Sequence, residues 1–254
     1  MIRNLFAAAL LAALCAGLVT AAIQHFRVTP IILHAESFEG EGGHSHGAEA
    51  VADHVDAPGT PAHTHDVVAT TEAAPEEWAP QDGFERTAYT TLATVLAAAG
   101  FALVIGAVSM FANIPITFAN GFLWGIAGFL AFSLAPAYGL APELPGMPAA
   151  EVLPRQIWWV GTAVATSGAI LLLTKIRAGW AFAVAAALVV IPHIIGAPIA
   201  PDDPSAVPAH LAAEFAAITL GTSLVFWLLL GSLFGKFSDV LATRKAAIPA
   251  GATA

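Results

Sequence analysis

The sequence predicts an all-α integral membrane protein with about six transmembrane helices and a long, disordered, histidine-rich outer loop. Hydrophobic residues make up 57% of the 254 residues and charged residues only 11%. Soluble domains average about 45–50% apolar and about 25% charged residues. Long apolar runs recur along the chain, and a helix needs about 20 such residues to cross a bilayer core of about 30 Å. Composition and run length therefore indicate the same class.

Six apolar runs are long enough to be transmembrane helices. They are Leu5–Ile23, Ala88–Phe111, Ile116–Ala135, Ile157–Thr174, Trp180–Ile199 and Ala209–Phe234. The runs divide the chain into a first, signal-like helix (1–23), a periplasmic loop rich in His and acidic residues (24–87), a five-helix bundle (88–235) and a cytoplasmic tail (236–254).

The second and third runs are separated only by the sequence ANIP. Pro115 lacks the amide donor that would continue a helix and disfavours helical geometry at Ile114, so we predict a tight helical hairpin. In the third run, Gly121, Gly125 and Gly128 follow the small-residue spacing that lets membrane helices approach closely. We predict that this stripe packs against another helix.

The distribution of Lys and Arg predicts the orientation in the membrane, because short cytoplasmic connections carry an excess of cations. Six of the nine cations fall on one side: Arg3, Lys175, Arg177, Lys236, Arg244 and Lys245. We therefore predict that both termini are cytoplasmic and that the loop after the first helix lies on the outer side of the membrane. The first run also resembles a secretory signal peptide, and its cleavage would leave five helices.

The predicted outer loop concentrates potential metal ligands in a segment without a periodic apolar face. Five of the nine histidines lie there among carboxylates: His44, His46, His54, His63 and His65. Imidazole and carboxylate together suit borderline divalent metals. A chain that must become ordered each time it binds should gather such ions with modest affinity. The alternative interpretation is a solvated acidic linker whose histidines are incidental.

Three polar residues at membrane depth predict a second metal site. His193 and Glu214 each lie about 9–10 Å below the outer helix ends at 1.5 Å per residue, and His210 is one turn before Glu214. Ionisable groups in spans usually face a cavity or mark a pathway. His34 and Glu36 add potential ligands where the first helix reaches the surface. Alternatively, each residue only makes a hydrogen bond to a neighbouring helix.

Several stretches of the sequence resemble the proposed cobalt transporter subunit CbtA family of bacterial membrane proteins. They are AAIQHFRVTPIILHAESFE, PAYGLAPELPGMPAAEVLPRQIWWVGTAVATSGAILLL, VVIPHIIGAP and PAHLAAEFA. The resemblance implies a multi-helix inner-membrane protein that acts in cobalt uptake for cobalamin synthesis beside a small one-helix subunit, CbtB. It also favours retention of the first helix.

We therefore expect the protein to take up a divalent cation, with Co²⁺ as the first candidate. We expect no permanently bound cofactor and no enzymatic activity. A nickel or zinc permease differs only in the ion, and ligand types do not separate these metals. A b-type haem or quinone subunit would use His193 and His210 as axial ligands, and a non-transporting metal sensor or chaperone is a further alternative.

Other function classes are excluded by composition and motifs. The net charge of −9 argues against a nucleic-acid surface. The expected partners are the metal ion and membrane lipid, and the resemblance to the CbtA family implies the small subunit CbtB as a further partner. There is no G-x-x-x-x-G-K-[ST] phosphate loop for ATP hydrolysis. Cys15 is the single cysteine, so the chain has neither an internal disulfide nor a Cys-based zinc site.

Overall fold

The computed structural model describes residues 2–42 and 80–246, and every secondary-structure element in these two ranges is a helix. The α-helices are α1 (Ile2–Ile23), α2 (Thr29–Gly42), α3 (Phe84–Ala112), α4 (Phe118–Phe129), α5 (Ala135–Gly139), α6 (Val152–Lys175), α7 (Gly179–Ile195) and α8 (Ala209–Ala246). Five continuous helical segments are long and apolar enough to span a membrane, and the 17-residue α7 is a shorter sixth. The predicted fold class is confirmed.

The first helix extends well beyond the predicted boundary at Ile23. A π-helical turn, Gln24–Val28, joins α1 to α2 without a break. Pro30 follows as the second residue of α2, where it cannot donate a hydrogen bond to the preceding turn. The amide of Thr29 bonds the carbonyl of Gln24, five residues earlier, so the widened turn precedes the proline without ending the helix.

The third span also contains a π-helical turn just before a proline. A second π-helical turn, Leu130–Leu134, joins α4 to α5, and Pro136 is again the second residue after it. The span therefore continues to Gly139 instead of ending at Ala135. In both places, sequence patterns correctly identified a span but underestimated its length.

The fifth span is shorter than predicted. The apolar run continues to Ile199, but α7 ends at Ile195 because Gly196 adopts a left-handed φ of 87°. Pro198 follows and cannot resume the same helix. The 17 residues of α7 extend about 25 Å at 1.5 Å per residue, which is slightly less than the thickness of a typical hydrocarbon core.

Helix α8 lies at the centre of the main bundle. It packs along α1 and α4, while α1 packs along α3, and α6 and α7 form a second pair. The alanine stripe of α1 joins Trp227, Leu230 and Phe234 of α8 in the buried core. The turn between α3 and α4 is as short as predicted. The two helices do not pair as the predicted hairpin implies, because α3 packs mainly against α1 and α4 packs mainly against α8.

Glycines permit a very close contact between α4 and α8. A Cβ atom at Gly121 would overlap the carbonyl oxygen of Gly231, and one at Gly125 would lie 2.5 Å from the carbonyl oxygen of Trp227. Gly128 faces the indole ring of the same tryptophan. The predicted packing role of the glycine stripe is confirmed, and its partner is α8.

Candidate metal site

His210 and Glu214 lie one turn apart on the first two turns of α8. Pro208 begins this helix by accepting hydrogen bonds from the amides of residues 211 and 212. Leu211 and Phe215 are buried in an apolar cluster with α2, whereas His210 and Glu214 are exposed. The burial of Leu211 and Phe215, which are one turn apart, thus leaves an imidazole and a carboxylate together on one exposed face of the helix.

His193 lies near the end of α7 in an aromatic environment. Its ring makes edge contacts with Tyr138 at 5.3 Å and with Trp158 at 5.7 Å between centroids. The indole nitrogen of Trp158 donates to the Pro192 carbonyl at 3.1 Å. The Nδ1 atom of His193 is buried and has no hydrogen-bond partner in the described structure.

The described residues do not assemble the predicted three-ligand site. No group of three or more His, Cys, Asp or Glu side chains within residues 2–42 and 80–246 is arranged to hold a metal ion. His193 is therefore not in one cluster with His210 and Glu214. The predicted depth of His193 is wrong, because α7 ends at Ile195, two residues after it, whereas Glu214 is the sixth residue of α8. In addition, α7 packs against α6 while α8 packs against α1 and α4.

The carboxylate of Glu36 is paired with a cationic side chain. Both of its oxygens accept hydrogen bonds from the guanidinium of Arg86, which also binds Asp82 at 2.8 Å. A metal ion would have to displace this guanidinium. His34 is exposed, with its ring 5.3 Å from that of Phe38. The predicted ligands His44, His46, His54, His63 and His65 lie outside the described residues, and their role stays a prediction.

His25 is a histidine that sequence reasoning did not consider. Its Nδ1 atom is 3.4 Å from the hydroxyl of Thr87, and it lines a cavity of about 120 Å³ together with Asp82 and Arg86. The nearby guanidinium disfavours a second cation in this cavity. The extension of the helix past Ile23 places His25 here, and the sequence patterns did not reveal that extension.

Small hydroxyl residues inside the apolar spans were also missed. Two cavities of about 750 and 360 Å³ flank α8, and both have Thr219 and Ser223 in their walls. The available signal was the spacing of Thr219, Thr222 and Ser223 on neighbouring faces of one span. Serine and threonine are common in membrane helices, so that signal alone is weak.

Comparison with known proteins identifies the family. A sequence profile described as "Probable cobalt transporter subunit (CbtA)" matches residues 2–239, which is nearly the whole chain. No curated protein and no solved structure matches. The profile reaches into every helix that could span a membrane, ends near the end of α8, and includes the stretches that carried the resemblance. The chain belongs to the CbtA family of probable cobalt transporter subunits, and it is a multi-pass membrane protein.

Proposed function

We propose that this protein takes up a divalent transition-metal cation, Co²⁺ before Ni²⁺ or Zn²⁺, across the bacterial inner membrane. The observation that carries the proposal is the family match over residues 2–239, joined to helices of membrane-spanning length and composition. Both termini are cytoplasmic in this proposal, and the histidine-rich segment is periplasmic. The family description as a subunit supports an assembly, and we propose the one-helix protein CbtB as the partner.

Ion capture begins outside the membrane in this proposal. The histidine-rich segment between α2 and α3 raises the local ion concentration, and the exposed pair His210 and Glu214 receives the ion at the outer end of α8. One imidazole and one carboxylate one turn apart supply the nitrogen and oxygen donors that suit cobalt. His193 supplies a separate nitrogen on α7, because its Nδ1 atom has no partner in the described structure.

The membrane potential is a sufficient energy source for this uptake. A dication gains about 4.6 kcal/mol per 100 mV on entering a negative interior, from about 2.3 kcal/mol per elementary charge. The sequence has no phosphate-binding loop for ATP. Facilitated entry down the electrochemical gradient is therefore enough to accumulate the metal.

Uptake of radioactive cobalt by cells that express the chain tests the proposal. Expression should raise the initial uptake rate, and His210→Ala or Glu214→Gln should lower that gain at least fivefold. His25→Ala is the matched control, because His25 is also exposed but lies beside a guanidinium. Full uptake by both α8 variants would remove the proposed ligand pair. An excess of Ni²⁺ that abolishes cobalt uptake while Co²⁺ leaves nickel uptake unchanged would identify nickel as the preferred ion.

A further inference from the structure

The first half of α8 has one exposed face, which we call the outer face of α8. It consists of five exposed residues at helical spacing: His210, Ala213, Glu214, Ala217 and Gly221. A Cβ atom added at Gly221 would meet nothing within 4 Å. The exposed face of α1, by contrast, carries large apolar side chains from Phe6 to Leu18. Small side chains on an uncovered face allow another helix to approach closely.

The ligand set on the outer face of α8 is incomplete in the described part of one chain. His210 and Glu214 offer one imidazole and one carboxylate, and no third His, Cys, Asp or Glu within residues 2–42 and 80–246 joins them. Zinc, for comparison, takes four protein ligands in its structural sites. One copy of the chain therefore supplies about half of a coordination shell here.

The two ligands lie at the rim of the membrane, and the small residues lie below them. A hydrocarbon core of about 30 Å takes about 20 residues of helix. Lys236 is the first cation after the last apolar run, and counting back from it gives roughly residues 217–236 for the core. Ala217 and Gly221 then face hydrocarbon, whereas His210 and Glu214 remain within reach of water. In the proposed topology an ion reaches this pair from outside.

We infer that two copies of the chain pack through the outer face of α8 and bind one divalent cation between them, with His210 and Glu214 of each copy as ligands. The inference rests on the proposed role of this pair in metal uptake and assigns the missing ligands to a second copy. A two-fold axis brings the same surface patch of both copies together. The site then has two imidazoles and two carboxylates, and the two negative charges neutralise the dication.

Close packing at Ala217 and Gly221 leaves room for an ion above them. Helices that meet through small residues often cross at about 40°, so they are closest at those residues and diverge on either side. Glu214 lies three residues before Ala217, or about 4.5 Å nearer the outer end of α8. The two helices have begun to separate at this level, where the ligand side chains need space.

The shared ion makes association depend on cobalt. Without a cation, two carboxylates approach each other across the axis, and their like charges oppose the contact. A dication removes this repulsion and gains ligands from both copies. Because the complete site exists only in the pair, bound cobalt shifts the equilibrium toward the dimer.

Thiol cross-linking of the full chain in liposomes tests the inference. In a Cys15→Ala background, which removes the single native thiol, a short bis-maleimide should join two copies of Ala217→Cys. Co²⁺ should raise the cross-linked fraction at least threefold. Gly161→Cys is the matched control, since Gly161 is the tenth residue of α6 and Ala217 the ninth of α8, and both are exposed. Gly161→Cys should show little cross-linking and no effect of cobalt.

Removal of a ligand separates metal binding from helix contact. Adding Glu214→Gln to Ala217→Cys should abolish the cobalt effect, while cross-linking without cobalt should persist because the variant removes the repulsion between carboxylates. Asp203→Asn removes an exposed carboxylate from the loop before α8 and should leave the cobalt effect unchanged.

Several outcomes would overturn the inference. They are a yield for Ala217→Cys no higher than that for Gly161→Cys, no effect of Co²⁺, and a cobalt effect that survives Glu214→Gln. Loss of the dimer when the small subunit is added to the liposomes would assign the outer face of α8 to that subunit instead. Cobalt uptake that depends on Glu214 without a cobalt-dependent dimer would overturn the inference and preserve the proposed function. A cobalt-dependent dimer without uptake would preserve the site and remove the proposed transport function.

Discussion

Arg86 connects the two sides of the histidine-rich segment. Its guanidinium binds Glu36 at the end of the first span and Asp82 just before α3, and the segment lies between these two positions. Partly exposed ion pairs each contribute only about 0–1 kcal/mol to the free energy of unfolding. Here one guanidinium binds two carboxylates. The arrangement therefore favours a structural role for Glu36 over a role as a metal ligand.

Replacing Arg86 by Gln should lower the free energy of unfolding by about 1 kcal/mol, because both carboxylates lose their partner. Thermal unfolding of the purified protein measures the change, with the exposed Arg27→Gln as the control. The half-saturating cobalt concentration of Glu36→Gln should equal that of the parent protein. A several-fold rise in that concentration would instead identify Glu36 as a ligand.

Asp239 is a second residue whose role sequence patterns did not reveal. The sequence pattern places it in a cytoplasmic tail, but α8 continues past it. Its carboxylate accepts a hydrogen bond from the backbone amide of Phe118 at 2.9 Å. A carboxylate at a helix N-terminus is stabilised by the unpaired amides there. Asp239 thus ties the end of α8 to the start of α4.

Asp239→Ala should lower the free energy of unfolding by about 0.5–2 kcal/mol, the usual range for loss of a helix cap. Thermal unfolding with Asp203→Ala, an exposed loop carboxylate, provides the comparison. Equal stability of the two variants would show that the contact with Phe118 contributes nothing.

The packing of α4 against α8 depends on glycine rather than on large side chains. Gly121 and Gly231 approach so closely that a Cβ atom on either would overlap the other's backbone. Without a hydrophobic driving force in lipid, such close contact is a main source of helix association.

Gly121→Ala should therefore destabilise the protein by about 1–3 kcal/mol, the usual cost of overpacking. Gly100→Ala is the matched control, since a Cβ atom there meets nothing within 4 Å. Gly100→Ala should be neutral or slightly stabilising, because alanine favours helix. If both variants unfold at the same temperature, the backbone contact between α4 and α8 does not determine stability.

These elements show how much of the fold and site could be predicted. Apolar run length identified the spans, and glycine spacing identified a packing face, because both signals are local. The π-helical turns before Pro30 and Pro136 were missed, since a proline in sequence indicates a break unless the preceding turn widens. His193 and Glu214 were predicted at matching depths, but α7 ends two residues after His193. Their helices also pack against different neighbours, and one sequence does not specify those neighbours.

The orientation of the whole molecule follows from its cations and stays a prediction. In a Cys15→Ala background, Asp203→Cys should react with a membrane-impermeant thiol reagent added to spheroplasts. Arg177→Cys should react only after the membrane is opened, because the cation-rich connections face the cytoplasm. Both positions are exposed, so burial does not explain a difference. The reverse pattern would invert the proposed topology.

The first helix belongs to the core of the folded bundle. Its alanine stripe, including Ala9 and Ala12, packs against α3 and α8 with no exposed surface. Removal of this segment as a signal peptide would uncover that face. We therefore expect intact-mass measurement of the purified protein to show the first span retained.

Cobalt entry into liposomes that contain the purified protein tests the central claim most directly. An inside-negative potential should accelerate entry well above that of protein-free liposomes, either with the chain alone or with its small partner subunit, and Glu214→Gln should reduce that rate at least fivefold. Entry equal to that of protein-free liposomes, both with and without the partner, would contradict the account.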